Sequence, residues 1–128
     1  IAKNKPMKHI LIIEDDLAYQ KMLDTALTES GFKISVASDG AEGCKIFKKD
    51  PCDLVISDIF MPEKEGFETI MEIRQMSETV KILAISGGGQ FDARDMLPMS
   101  IELGANEAVE KPIGIKDLLE IVNRLLAE

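Results

Sequence analysis

The chain has 128 residues, 45% apolar and 30% charged. That length and balance suit one compact domain with a sizeable core, and they exclude a disordered, collagen-like or disulfide-framed chain. Basic residues number 15 and acidic residues 23, for a net charge of -8; this argues against direct binding to nucleic acid or to an anionic membrane and leaves room for a cation or a basic partner surface. Cys44 and Cys52 lack metal-ligand spacing and read as reduced, small core residues. The aliphatic run Ile10 to Ile13 ends at Glu14, far short of an export signal or a membrane span, so the expected setting is cytoplasmic, without membrane insertion. Residues 1–6 read as a remnant or as the end of a longer upstream region, and residues 7–128 as a single domain.

Short β-rich runs alternate with helical patterns throughout. His9 to Ile13 is aliphatic enough to be buried on both faces, as a central parallel strand must be. Leu17, Met22, Leu23, Ala26 and Leu27 follow at helical spacing until Ser30-Gly31 stops the helix. Phe32, Ile34 and Val36 alternate with polar neighbours, the mark of a half-exposed edge strand, and Asp39 with Glu42 predicts a capping box for a helix through Lys49. Lys48-Lys49 then suits the negative end of that helix. Leu54 to Ser57 is a second buried strand. Pro62 and Gly66 break the chain before a helix expected to turn Phe67, Ile70, Ile73 and Met76 inward. Lys81 to Ser86 is the fourth strand, leaving through Gly87-Gly88-Gly89. The next helix is placed from Asp95 to Leu103 so that Pro98 falls in its first turn, where a missing N–H is tolerated. A short strand around Ala108 to Glu110 and a helix striped by Ile115, Leu118, Val122 and Leu125 complete five βα units. Met71, Met76, Met96 and Met99 read as helix packing rather than as a peptide-binding surface. His9, in a strand remote from the pocket described next, receives no catalytic role.

Such an alternation implies a parallel sheet with right-handed crossovers and helices on both faces, with ligands expected at the carboxyl ends of the strands. Those ends carry Glu14, Asp15 and Asp16, then Asp58, Ser86, and Lys111 followed by Pro112. Each alone has a plain structural reading: Asp16 as a helix cap, Asp58 as a turn cap, Ser86 as a partner for a loop amide, Lys111 as a solvated charge. Together they form an acidic pocket whose carboxylates repel one another unless a cation or a proton intervenes. Magnesium suits the oxygen donors, whereas zinc would call for the His and Cys that the pocket lacks. With the ion bound, a carboxylate such as Asp58 can attack phosphorus, while Lys111 and the Ser86 hydroxyl neutralise the transferred oxygens.

The ordered set Ile10-Leu11-Ile12-Ile13-Glu14-Asp15-Asp16, Ser57-Asp58-Ile59-Phe60-Met61-Pro62 with Gly66, Ala84-Ile85-Ser86 and Glu110-Lys111-Pro112 resembles the CheY-like receiver domain of two-component response regulators, over residues 7–128. The resemblance implies a flavodoxin-like (βα)5 domain with strand order 2-1-3-4-5. It also implies that Asp58 takes a phosphoryl group from a sensor histidine kinase or a histidine phosphotransfer protein, in a Mg2+-dependent reaction, and signals to a downstream protein target. Asp15 and Asp58 would ligate the ion directly, Glu14 through water, and Phe60 through its main-chain carbonyl. Ser86 would bond the phosphoryl group, Lys111 would pair with Asp58 or its phosphate, and the Lys111-Pro112 bond would be cis. The Tyr19 and Met22 side of the first helix would belong to the kinase-docking face, and dimerisation on phosphorylation stays open.

Two features depart from the common receiver pattern. Ala108 stands three positions before Lys111, where an aromatic residue is usual, and the loop after Ser86 is rich in glycine. The expected substitute switch draws Ser86 and the Gly87-Gly88 loop toward Asp58 and shifts the following helix. Gly88 and Phe60, two beyond Ser86 and Asp58, would govern access of water to the acyl phosphate. Three alternatives remain. A magnesium-dependent aspartyl phosphohydrolase would place a proton-donating acid at Phe60. A nucleotide-binding module would need a phosphate-friendly first loop in place of the acidic one. A docking module would act without phosphorylation.

Overall fold

A computed structural model describes residues 7–59, 65–87 and 93–128. Expectations that fall on Phe60, Met61, Pro62, Gly88 and Gly89, on residues 1–6, or on the Met96 side chain lie outside the described residues. The elements run β1 (His9–Ile13), α1 (Leu17–Glu29), β2 (Lys33–Ala37), α2 (Gly40–Lys49), β3 (Leu54–Asp58), α3 (Glu65–Met76), β4 (Lys81–Ser86), α4 (Ala93–Leu103), β5 (Glu107–Glu110) and α5 (Ile115–Ala127). All neighbouring strands pair in parallel, in the order β2-β1-β3-β4-β5.

The period-2 alternation of the inner strands sorts their side chains onto two faces. Ile10, Ile12, Leu54, Ile56, Leu83 and Ile85 meet Leu23 and Leu27 of α1 and Leu118, Val122 and Leu125 of α5. Leu11, Ile13, Val55, Ile82 and Ala84 meet Phe47 of α2 and Ile70 and Ile73 of α3 on the other face. Each fully buried aliphatic side chain contributes about 1.5–3 kcal/mol, so the two layers dominate the stability of the fold. Helix starts follow local chemistry. Asp16 accepts from Ala18 N and Tyr19 N to open α1, and Asp39 accepts from Glu42 N to open α2, while Glu42 Oε1 reaches back to Ser38 N at 2.7 Å. Gly31 and Gly104, with φ of 97° and 132°, supply the left-handed turns that end α1 and α4.

Four sequence expectations are corrected. The helix α4 begins at Ala93 rather than Asp95, which leaves Pro98 inside it; Pro98 is exposed, so the carbonyl it leaves unbonded on that face can turn to water. Met76 and Ile115, expected inside, are 38% and 37% exposed, because each stands at the edge of its helix's apolar stripe. Met71 and Met99, read as packing, are also exposed. On the edge strand β2, Ile34 packs on the core but Val36 is exposed.

Candidate functional site

Pairing between parallel strands brings four chain segments to one end of the sheet. Glu14 N donates to Ala37 O at 3.0 Å, Ile59 N to Ile85 O at 2.9 Å and Lys111 N to Ser86 O at 2.8 Å, so the residues just past β1, β3, β4 and β5 are held in register. Gln20 of α1 tightens the first of these joints, its side-chain amide donating to Glu14 O and Ala37 O. Gly66 packs directly on the main chain of Ile59, its hypothetical Cβ falling within 2.6 Å of Ile59 O, so α3 can approach the residue after Asp58 only without a side chain at 66.

Glu14, Asp15 and Asp58 present carboxylate oxygens that all lie within 4.8 Å of one another. Glu14 and Asp58 are almost fully buried and Asp15 is exposed, the arrangement of a cup open on one side. Lys111 enters it from the end of β5, with Nζ 2.8 Å from Glu14 Oε1 and 3.1 Å from Asp58 Oδ2. The Glu14 contact is close but misdirected, so Glu14 Oε1 lacks a well-formed hydrogen bond; its Oε2 accepts from Asp16 N at 3.0 Å. Burial raises the Glu14 pKa to about 7, with the neighbouring Asp58 charge adding to the rise and Lys111 and the Asp16 N–H opposing it. Lys111 itself is lowered by burial but raised more by the two carboxylates, and the net shift is upward, which keeps it charged. Two buried carboxylates share one ammonium, with the exposed Asp15 beside them. These donors fit a hard divalent cation.

Of the three acidic residues after β1, Asp16 is used as the α1 cap and stands apart from the cluster. Ser86 is fully buried at the end of β4, its hydroxyl making, among the described residues, a long 3.5 Å contact with Gly87 O. Gly87 lies against the Lys111 stem, where a Cβ would meet Cδ at 3.3 Å. The Lys111-Pro112 bond is cis. Ala108 is half-buried beside the core layer. Sequence reasoning passed over Gln20 and the closeness of Gly87 to Lys111, and it gave Tyr19 to the docking face without its contact with Lys111, whose Nζ lies 4.4 Å from the ring. No local pattern marks such contacts, since each joins segments far apart in the chain. His9 sits at the opposite end of β1, bonded to Ser35 Oγ at 2.7 Å. Cys44 and Cys52 form no disulfide, and burial raises the Cys52 thiol to about 12, which disfavours the reactive thiolate.

A family model described as the response regulator receiver domain matches residues 10–123. The chain belongs to that family. The receiver is 33% identical over 122 residues to the chemotaxis protein CheY of Bacillus subtilis, covering 94% of this chain and 99% of that protein. It is 34% identical over 124 residues to a probable transcriptional regulator, ycf27, of Cyanidium caldarium, covering 97% of this chain but 48% of that protein. It thus spans about half the length of several curated relatives that it matches. Among solved structures, a response regulator receiver domain protein of Clostridium thermocellum superposes with a TM-score of 0.86 at 26% identity, over 94% of this chain and 95% of that one. The observed strand order and the five helices are those expected from the resemblance. Among the described residues no helix is long and apolar enough to cross a membrane.

Proposed function

We propose that this receiver accepts a phosphoryl group on Asp58, in a Mg2+-dependent reaction, from the phosphohistidine of a sensor kinase or phosphotransfer protein. The observation that carries this reading is the Asp58 carboxylate, buried at the end of β3 with Lys111 at 3.1 Å and two further carboxylates within 4.8 Å. Asp15 and Asp58 would hold the ion directly, Glu14 through water and Phe60 through its carbonyl; once bound, the ion offsets repulsion between the carboxylate and the incoming phosphoryl oxygens.

An Asp58 oxygen attacks phosphorus, the P–N bond breaks, and the electron pair leaves with the imidazole nitrogen, which takes up a proton. Lys111 turns one N–H from Asp58 to a phosphoryl oxygen, and the Ser86 hydroxyl, whose contact with Gly87 O is a long 3.5 Å, swings to another. Water later attacks the acyl phosphate and regenerates the carboxylate, so the receiver catalyses only its own modification. The buried Ser86 beside Gly87 supports a switch through the β4–α4 segment, since Ala108 has no side-chain rotamer to change. Unchanged amide exchange in residues 87–103 on phosphorylation would reject that switch.

Kinase docking fits the apolar groove between α1 and α5, where Ala18, Met22, Ala26, Ile115 and Leu119 line the floor. The setting that suits these partners is the cytoplasm. Intact-mass spectrometry with Mg2+ and acetyl phosphate tests the central step: a gain of about 80 Da that needs the ion and is absent in Asp58→Asn is expected. No gain, with beryllofluoride binding intact, would leave the protein a phosphorylation-independent docking module.

A further inference from the structure

Lys111 has a third neighbour besides its two carboxylates. Its ammonium stands 4.4 Å from the centroid of the Tyr19 ring, while Glu14 Oε1 and Asp58 Oδ2 lie 2.8 and 3.1 Å away. Tyr19 is fixed from behind. It belongs to the first turn of α1, its main-chain N–H donating to the Asp16 cap at 3.2 Å, and its ring packs on the apolar layer shared with α5. The phenol hydroxyl is enclosed and lies toward the main chain of Ile113, a contact short of good hydrogen-bond geometry. Packing seats the ring, with its hydroxyl turned toward the Ile113 main chain, and the face it offers the ammonium carries the negative side of the aromatic quadrupole.

The rest of the pocket does not restrain Lys111 in this way. The lysine rises from a short strand, Gly87 leaves its stem a bare wall, and Ala108 provides no ring from β5. Carboxylates alone attract an ammonium without fixing its direction, and one of them, Glu14, is met at poor geometry. An aromatic face on the remaining side strips water from the cation and narrows the positions it can take.

We propose that Tyr19 is a positioning residue for Lys111, its ring holding the ammonium between Glu14 and Asp58 and in reach of the phosphoryl oxygens on Asp58. This rests on Asp58 being the phosphoacceptor. Tyr19 touches no reacting atom; it acts through the lysine, supplying from α1 the aromatic neighbour that β5 lacks.

The sequence contains one tyrosine and no tryptophan, so emission excited at tyrosine wavelengths reports Tyr19 alone. The test measures acyl-phosphate formation from acetyl phosphate in saturating Mg2+ for the unaltered protein, Tyr19→Phe and Tyr19→Leu. Tyr19→Leu is expected to lower the maximal rate about three- to tenfold, the range of one cation–π contact, without changing the donor concentration at half-saturation. Tyr19→Phe is expected to recover most of that loss. Equal rates in Tyr19→Leu and the unaltered protein, or a Tyr19→Phe as slow as Tyr19→Leu, would overturn the inference. In parallel, Tyr19 emission should change in step with beryllofluoride and Mg2+ binding followed by calorimetry, as Lys111 shifts toward the bound group; flat emission through a saturating titration would overturn it even if Tyr19→Leu failed to fold. An unaltered protein that takes up no phosphoryl group would bring down the Asp58 reading and this one with it, whereas normal labelling with an unaffected Tyr19→Leu removes this inference alone.

Discussion

Glu14 carries the sharpest residue-level consequence of the pocket. In the metal-free protein its pKa moves from 4.5 to about 7, chiefly through burial. A carboxyl group whose folded pKa is raised binds an extra proton in the folded state, so its contribution to stability is fully present below pH 4.5 and is lost as pH rises through about 7. The Tm of the metal-free protein should therefore fall across that window relative to Glu14→Gln, which cannot titrate. Parallel curves for the two proteins would show that Lys111 already keeps Glu14 ionised. Gly66 gives a second residue-level prediction. A Cβ there would press on the Ile59 main chain, within 2.6 Å of its carbonyl oxygen, and the strain must pass to the residue beside Asp58. Gly66→Ala should both lower Tm and slow phosphorylation from acetyl phosphate, measured by the same intact-mass assay; a fall in Tm alone would mean that the loop yields without disturbing Asp58.

At the scale of elements, the helices are held by different means. Leu23 of α1 is fully buried among Ile10, Ile12 and the α5 side chains, and Leu23→Ala should remove about 2–5 kcal/mol in chemical denaturation. Arg74, near the end of α3, instead works through its guanidinium. It donates to Val80 O at 2.7 Å, Gly104 O at 2.8 Å and Asn106 Oδ1 at 3.0 Å, tying α3 to the start of β4 and to the end of α4. Asn106 Oδ1 in turn accepts from Ile82 N, so one planar cation joins three elements. Arg74→Lys should fail to restore the stability lost in Arg74→Ala, because a point charge cannot reach several fixed acceptors at once; equal recovery would reduce Arg74 to a surface charge. The strand and helix periods were legible before the fold, and Asp39 with Glu42 caps α2 as that spacing predicts. The α4 start was not, because it rested on Pro98, and an exposed helix face tolerates the carbonyl that proline strands.

For the whole molecule, a net charge of -8 with three carboxylates drawn into one cup would link folding to the binding of a cation. A ligand that binds only the folded chain adds about 2.7 kcal/mol at a hundred times its Kd. Thermal melts should move upward with Mg2+, and Asp15→Asn should abolish most of that rise while leaving the metal-free Tm nearly unchanged, since Asp15 is exposed. A rise of equal size in Asp15→Asn would mean that the ion acts by screening alone.

The sequence by itself determined the alternation of strands and helices, the two-faced burial of β1 and β3, and the placing of Asp15, Asp58, Ser86 and Lys111 at or just past the carboxyl ends of strands. These are local properties: side-chain period, capping chemistry, and the position of a polar residue after an apolar run. Only the tertiary structure decided that Met71, Met76, Met99 and Ile115 would be exposed and that Tyr19 would lie over Lys111. Those outcomes depend on how a helix is rotated on the sheet and on contacts between segments up to ninety-two positions apart, here Tyr19 with Lys111, and a one-dimensional pattern carries no signal for either.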